Sequence, residues 1–204
     1  MIMLSGEQLP IMEVFYSIQG EGKHTGKAAF FIRLAGCDVG CHWCDVKESW
    51  DEKKHPLRDS KELVKEAKAS GAPIVIITGG EPTMYPLDKL TQLLKEENLL
   101  VHLETSGAYP ITGKFDWICL SPKKRKAPLP ESLKKADELK VVIYNKDDFK
   151  WAGQNALSVK ETCTLFLQPE WSKANSMMPL ITEYIKNRPQ WRVSLQTHKY
   201  LNIR

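Results

Sequence analysis

The stretch AAFFIRLAGCDVGCHWC, residues 28–44, sets a strand directly against a ligand loop. Ala28 to Ala35 is rich in aromatic and branched residues and ends at Gly36, the pattern of a buried strand closed by a turn. Cys37, Cys41 and Cys44 follow at once, so their loop is expected at the C-terminal end of that strand. Cys119 and Cys163 stand alone. Thiols clustered this way suggest metal in a reducing compartment, not disulfides.

Working outward from this stretch, short apolar runs alternate with amphipathic ones. Ser60 is placed to cap a helix with Leu63, Val64 and Ala67 on one face and Gly71 past its end, and Ile74 to Thr78 reads as the next strand. Pro86 suits a first helical turn before the stripe Leu87, Leu90, Leu93 and Leu94. Further strands are expected at Leu100 to Glu104, Trp117 to Leu120, Leu139 to Tyr144, Thr164 to Gln168 and Arg192 to Gln196, with helices near 131–138, 147–154 and 175–187. Such alternation implies an α/β fold with a mostly parallel sheet of six to seven strands. A complete eight-stranded barrel takes about 250 residues, so 204 favours a partial, incomplete TIM-like βα barrel.

Composition excludes other classes. Hydrophobic residues make up 42% and charged residues 26%, which rules out disordered and fibrous chains. No linker, repeat or apolar run of about 18 residues interrupts the pattern, so residues 1–204 are read as one domain without a membrane span. Met1–Pro10 lacks the features of a signal peptide, and the protein is expected to be cytoplasmic. The net charge of +4 is too small to argue for nucleic acid, and the run Lys123 to Lys126 reads as a solvated loop.

Polar clusters recur at the expected C-terminal strand ends: Gly79 to Pro82, Glu104 to Gly107, Ser121 to Lys123, Gln168 to Glu170 and Gln196 to Lys199. In parallel α/β folds that edge is where ligands bind. Three cysteines with no fourth nearby fit a [4Fe-4S] cluster with one iron left open better than a closed structural zinc site, which needs four ligands. Zinc completed by His42, His55, Cys119 or Cys163 is the alternative, although Cys119 between Ile118 and Leu120 looks like a core thiol.

Cys-x3-Cys-x2-Cys with Trp43 before the third cysteine, together with Gly79-Gly80-Glu81-Pro82, resembles the radical S-adenosylmethionine enzymes. Residues 15–22, 31–37, 78–82, 104–107, 121–123 and 196–203 narrow the likeness to the members that make 7-deazapurines on the route to queuosine in tRNA. The resemblance implies a lyase that contracts the ring of 6-carboxy-5,6,7,8-tetrahydropterin to 7-carboxy-7-deazaguanine with loss of ammonia. It implies that Cys37, Cys41 and Cys44 hold the cluster, and that Trp43, Cys44, Asp45, Gly80, Glu81, Ser121, Pro122 and Lys123 contact S-adenosylmethionine. Ile18, Gln19, Gly20, Arg33 and Thr78 would hold the pterin, and no catalytic residue is assigned beyond cluster and cofactor. Arg33, charged within an apolar strand, independently suits a carboxylate. Mg²⁺ is also implied, but the threonine that helps hold it is Val46 here, so no residue is assigned to it. The expected partners are an electron donor such as flavodoxin or ferredoxin and a second copy of the chain in a homodimer. A glycyl-radical-enzyme activase and a non-catalytic zinc module are the rival readings.

Overall fold

The computed structural model describes residues 6–204, so the reading of Met1–Pro10 lies partly outside the described residues. Nine strands form one sheet: β1 (Gln8–Ile18), β2 (Ala28–Leu34), β3 (Leu57–Asp59), β4 (Ile74–Gly79), β5 (Leu100–Thr105), β6 (Trp117–Leu120), β7 (Glu138–Ile143), β8 (Thr164–Pro169) and β9 (Trp191–Val193). Their order is β3-β1-β2-β4-β5-β6-β7-β8-β9, with no pairing between β3 and β9, so the barrel stays open. From β2 onward the seven strands other than β3 run parallel, whereas β1 pairs antiparallel with both β2 and β3. The parallel core matches the expected six to seven strands. The antiparallel β1 and β3 are additions that the sequence reading did not place.

Helices α1 (Ser60–Ala69), α2 (Asp88–Glu96), α3 (Pro130–Lys135), α4 (Asp147–Ala156), α5 (Ala174–Lys186) and α6 (Thr197–Leu201) complete the chain. Asp59, not Ser60, caps α1: its carboxylate accepts from the Lys61 N–H at 2.7 Å, while the Ser60 hydroxyl donates to the Gly6 carbonyl at 2.8 Å. The last strand is shorter than expected, because Gln196 leaves the sheet to open α6. No helix among the described residues is long and apolar enough to cross a membrane.

Strand alternation sorts the side chains into layers. Phe30, Ile32 and Leu34 of β2, Val75 and Ile77 of β4 and Val101 and Leu103 of β5 join Leu63, Leu90 and Leu94 of α1 and α2 in one core. Leu139, Val141 and Ile143 of β7 and Leu167 of β8 form a second core with Ala152 of α4 and Ile181 of α5. The alternate residues belong to the inner face. There, Phe15, Ala29, Phe31, Ile74 and Ile76 make a small apolar cluster, while β5 to β8 carry His102, Glu104, Cys119, Glu138, Lys140 and Gln168, all but Glu104 buried.

Candidate active site

The parallel strands deliver their ends to one edge, and the cysteine loop is tied there by backbone bonds. Gly36 N–H donates to Ser49 at 2.6 Å, Cys37 N–H to Trp50 at 3.2 Å, and the Gly80 and Glu81 N–H groups to Leu34 and Gly36, both at 2.9 Å. This approach demands glycine at position 80, where a Cβ would lie 2.3 Å from the Gly36 carbonyl oxygen and 2.8 Å from Cys37 Cβ.

Two adjoining clefts open at this edge. The first, of about 230 Å³, is lined by Cys37, Cys41 and Cys44 with Trp43, Gly80, Glu81, Ser121 and Lys123. The second, of about 190 Å³, is lined by Ile18, Gln19, Arg33, His198, Lys199 and Arg204 with Phe15 and Phe31. Glu21, Asp45, Val46, Thr78, Glu104 and Gln196 border both. The residues expected at S-adenosylmethionine therefore gather in one cleft and those expected at the pterin in its neighbour, with Asp45 and Thr78 on the shared wall. Gly20 and Pro122 line neither: Gly20 instead accepts the Thr197 N–H at 2.9 Å through its carbonyl, and Pro122 is buried. A larger groove of about 440 Å³ lies on the outside between α1 and α2, lined by lysine and glutamate stems without convergent chemistry.

The donor set fits a cluster. Three partly exposed thiols face one cleft, whereas the candidate fourth zinc ligands are elsewhere or engaged. His55 Nε2 lies 2.9 Å from the Glu48 carbonyl, His42 packs edge-on to Tyr144, and Cys119 and Cys163 are buried. Among the described residues no three His, Cys, Asp or Glu side chains converge as a single metal ion requires. Burial pushes the Cys37 and Cys41 thiols up, and Lys123 acts against this at Cys41.

Glu81 is 1% exposed and saturated. One carboxylate oxygen accepts from Thr83 N–H at 3.1 Å, Thr83 Oγ1 at 2.6 Å and Thr105 Oγ1 at 2.5 Å. The other accepts from Ser106 N–H at 2.8 Å and from the Ser106 hydroxyl. A carboxylate has about four acceptor sites, so a cofactor ammonium reaching Glu81 must displace a hydroxyl. Arg33 also has a partner: its Nε donates to Glu13 at 2.8 Å, and Glu13 holds Arg204 at 3.2 Å. That pair places both guanidinium groups beside the second cleft.

The basic run is not the plain solvated loop expected. Lys123 Nζ donates to the Ser121 carbonyl and hydroxyl at 2.6 Å, Lys124 pairs with Asp148 at 2.5 Å, Arg125 donates to the Gly40 carbonyl at 3.1 Å, and Lys126 pairs with Asp38 at 2.6 Å. Arg125 and Lys126 thus tie the cysteine loop to the segment after β6, while Lys124 ties that segment to α4.

Sequence reasoning missed Lys140. It is 3% exposed, borders the first cleft, and donates to Glu21 at 2.5 Å and Glu104 at 3.0 Å. The signal was present, since Lys140 interrupts an apolar strand much as Arg33 does.

The Radical SAM superfamily matches residues 31–142, more than half of the chain, and this fold with three cysteines at the sheet edge defines that class: enzymes that use a [4Fe-4S] cluster and S-adenosylmethionine. The chain is 59% identical to 7-carboxy-7-deazaguanine synthase of Flavobacterium psychrophilum, over 97% of this chain and 94% of that one. It is 51% identical to the Synechocystis enzyme of the same name over 96% and 93%. The crystal structure of QueE from Escherichia coli superposes with a TM-score of 0.84 at 31% identity, covering 92% of this chain and 93% of that one. The chain belongs to the 7-carboxy-7-deazaguanine synthase family.

Proposed function

We propose that the protein catalyses radical ring contraction of 6-carboxy-5,6,7,8-tetrahydropterin to 7-carboxy-7-deazaguanine with loss of ammonia, within one catalytic domain. The observation that carries this is the pair of adjoining clefts, one bearing the three thiols and the other the cationic side chains, with a common wall. In this reading Cys37, Cys41 and Cys44 hold the cluster, which with S-adenosylmethionine supplies a 5′-deoxyadenosyl radical when bound. The chain's residues bind and orient. Gly80 leaves room for close backbone approach, Trp43 and Lys123 border the cofactor, and Arg33, Lys199 and Arg204 attract the pterin carboxylate.

The Val46 side chain offers no oxygen, and the Asp45 carboxylate accepts from Lys199 at 3.1 Å and Gln196 at 3.3 Å. A Mg²⁺ ion here would rest on substrate and water, so withholding Mg²⁺ is expected to slow turnover less than tenfold. Exposed Val193, Leu195, Tyr200 and Leu201 support the expected homodimer, which sedimentation checks. A reducing cytoplasm and a flavodoxin- or ferredoxin-like donor suit the cluster.

The direct test is anaerobic incubation with the pterin, S-adenosylmethionine and reductant, followed by mass spectrometry. The expected product is 7-carboxy-7-deazaguanine. Deoxyadenosine without that product would overturn the reading, as would normal turnover by Cys41→Ala, which should lose both iron absorbance and deoxyadenosine formation.

A further inference from the structure

Lys140 rises from the middle of β7 to border the first cleft, and its ammonium lies between two carboxylates that border both. Glu21 follows β1 and Glu104 is the penultimate residue of β5, so three distant segments converge on one buried charge. Each carboxylate is steadied on its other oxygen: Glu21 accepts from Gln196 Nε2 at 2.9 Å, and Glu104 from Gln19 Nε2 at 2.8 Å. Each thus spends two of about four acceptor sites inside the protein and borders both clefts with the remainder. One ammonium against two carboxylates leaves a surplus negative charge, which suits a ligand edge made of N–H donors.

We propose that Lys140 is the positioning residue of the active site, holding the Glu21 and Glu104 carboxylates in place together as acceptors for the N–H groups of the pterin. The proposal rests on the functional reading above and adds to it a residue that need not touch the substrate.

The surroundings support it. Besides the two carboxylates, Lys140 faces Glu138 of its own strand, Cys119 of β6 and Lys123 beyond β6, and Glu21 also faces His198 of α6. Burial alone would raise Glu21, yet the Lys140 ammonium and its hydrogen bond bring it down to about 2; Lys140 itself is pushed well up, against its burial, by Cys119, Glu104, Glu21 and Glu138. Neither group then titrates near neutrality. Without the ammonium, the Glu21 carboxyl would lose the charge and the hydrogen bond that hold it down, and burial would raise it towards a protonated form that is no longer a full acceptor.

The experiment measures pterin affinity against pH, from about 6 to 9, for the reconstituted wild type, Lys140→Arg and Lys140→Met at matched iron content. Wild type and K140R should show no ionisation from this cluster. K140M should bind about tenfold or more weakly at the acid end, and regain affinity with a one-proton slope as pH rises and the Glu21 proton leaves. Iron-loaded K140M that binds like wild type at every pH would overturn the proposal. Should K140M not fold, infrared spectra with isotope-labelled glutamate decide: a protonated glutamic acid band in wild type across that range that disappears in Glu21→Gln refutes it, and the absence of such a band upholds it. Wild type that produces deoxyadenosine yet binds no pterin at any pH would instead sink the functional reading.

Discussion

At the scale of the residue, the site depends on contacts too close for substitution. Gly80→Ala would drive a methyl group into the Gly36 carbonyl and Cys37, which overpacking data place at about 1–3 kcal/mol. Its iron content after reconstitution should fall well below that of wild type; equal iron would show that the loop gives way freely. Ser106→Ala removes one of the two donors on an oxygen of buried Glu81 and should cost about 1–2 kcal/mol by urea unfolding. Individual residues were readable when chemistry forced an unusual type into an ordinary place. The cysteine triad and Arg33 stood out on those grounds, and all four border the clefts. Lys140 gave a similar signal, but its meaning depended on Glu21 and Glu104, which lie 119 and 36 positions away. Spacing along a chain does not reveal such a partnership.

At the scale of the element, periodicity carried the parallel strands and the longer helices because each buries a continuous apolar face. β1 was missed although it is the longest strand, since only Leu9, Pro10 and Ile11 are buried and the rest of QLPIMEVFYSI is partly exposed or exposed. β3 has three residues and no buried position, too little to display a period. α6 is also short, at five residues, and its Thr197-His198-Lys199 is occupied with Gly20 and Asp45 more than with a core. Caps are a separate local matter. Asp59→Ala should remove the bond to the Lys61 N–H and lower stability by about 1 kcal/mol, read as a lower urea midpoint with iron loading intact. Ser60→Ala acting more strongly through the helix terminus would contradict the assignment of the cap.

At the scale of the whole molecule, the interior is unusually polar, and this ties stability to pH. His102 is 6% exposed and packs 4.6 Å from the His24 ring, whose two nitrogens are buried without hydrogen-bond partners. Burial, helped by His24, pushes His102 from 6.5 down to about 4. The unfolded chain therefore binds the extra proton first as pH falls from 6.5 towards 4, and the folded state loses roughly 3 kcal/mol across that window. His102→Leu should flatten this acid limb in urea midpoints measured at several pH values, and an unchanged limb would assign it to other groups. The open sheet has a consequence of its own. A sheet that never closes keeps two free borders, and a long flat border is a template on which further chains can stack. The outermost strands, β3 and β9, are only three residues long, but β3 covers no more of β1 than Gln8–Pro10, so Glu13–Ile18 of β1 is paired on its β2 side alone. The β9 border shows an incoming strand few backbone groups, whereas the Glu13–Ile18 edge of β1 is the longer one. The unclosed wall beside the reaction chamber is thus guarded by a very short strand at the β9 side and leaves a longer run of β1 backbone open at the other, where an added strand would find its register.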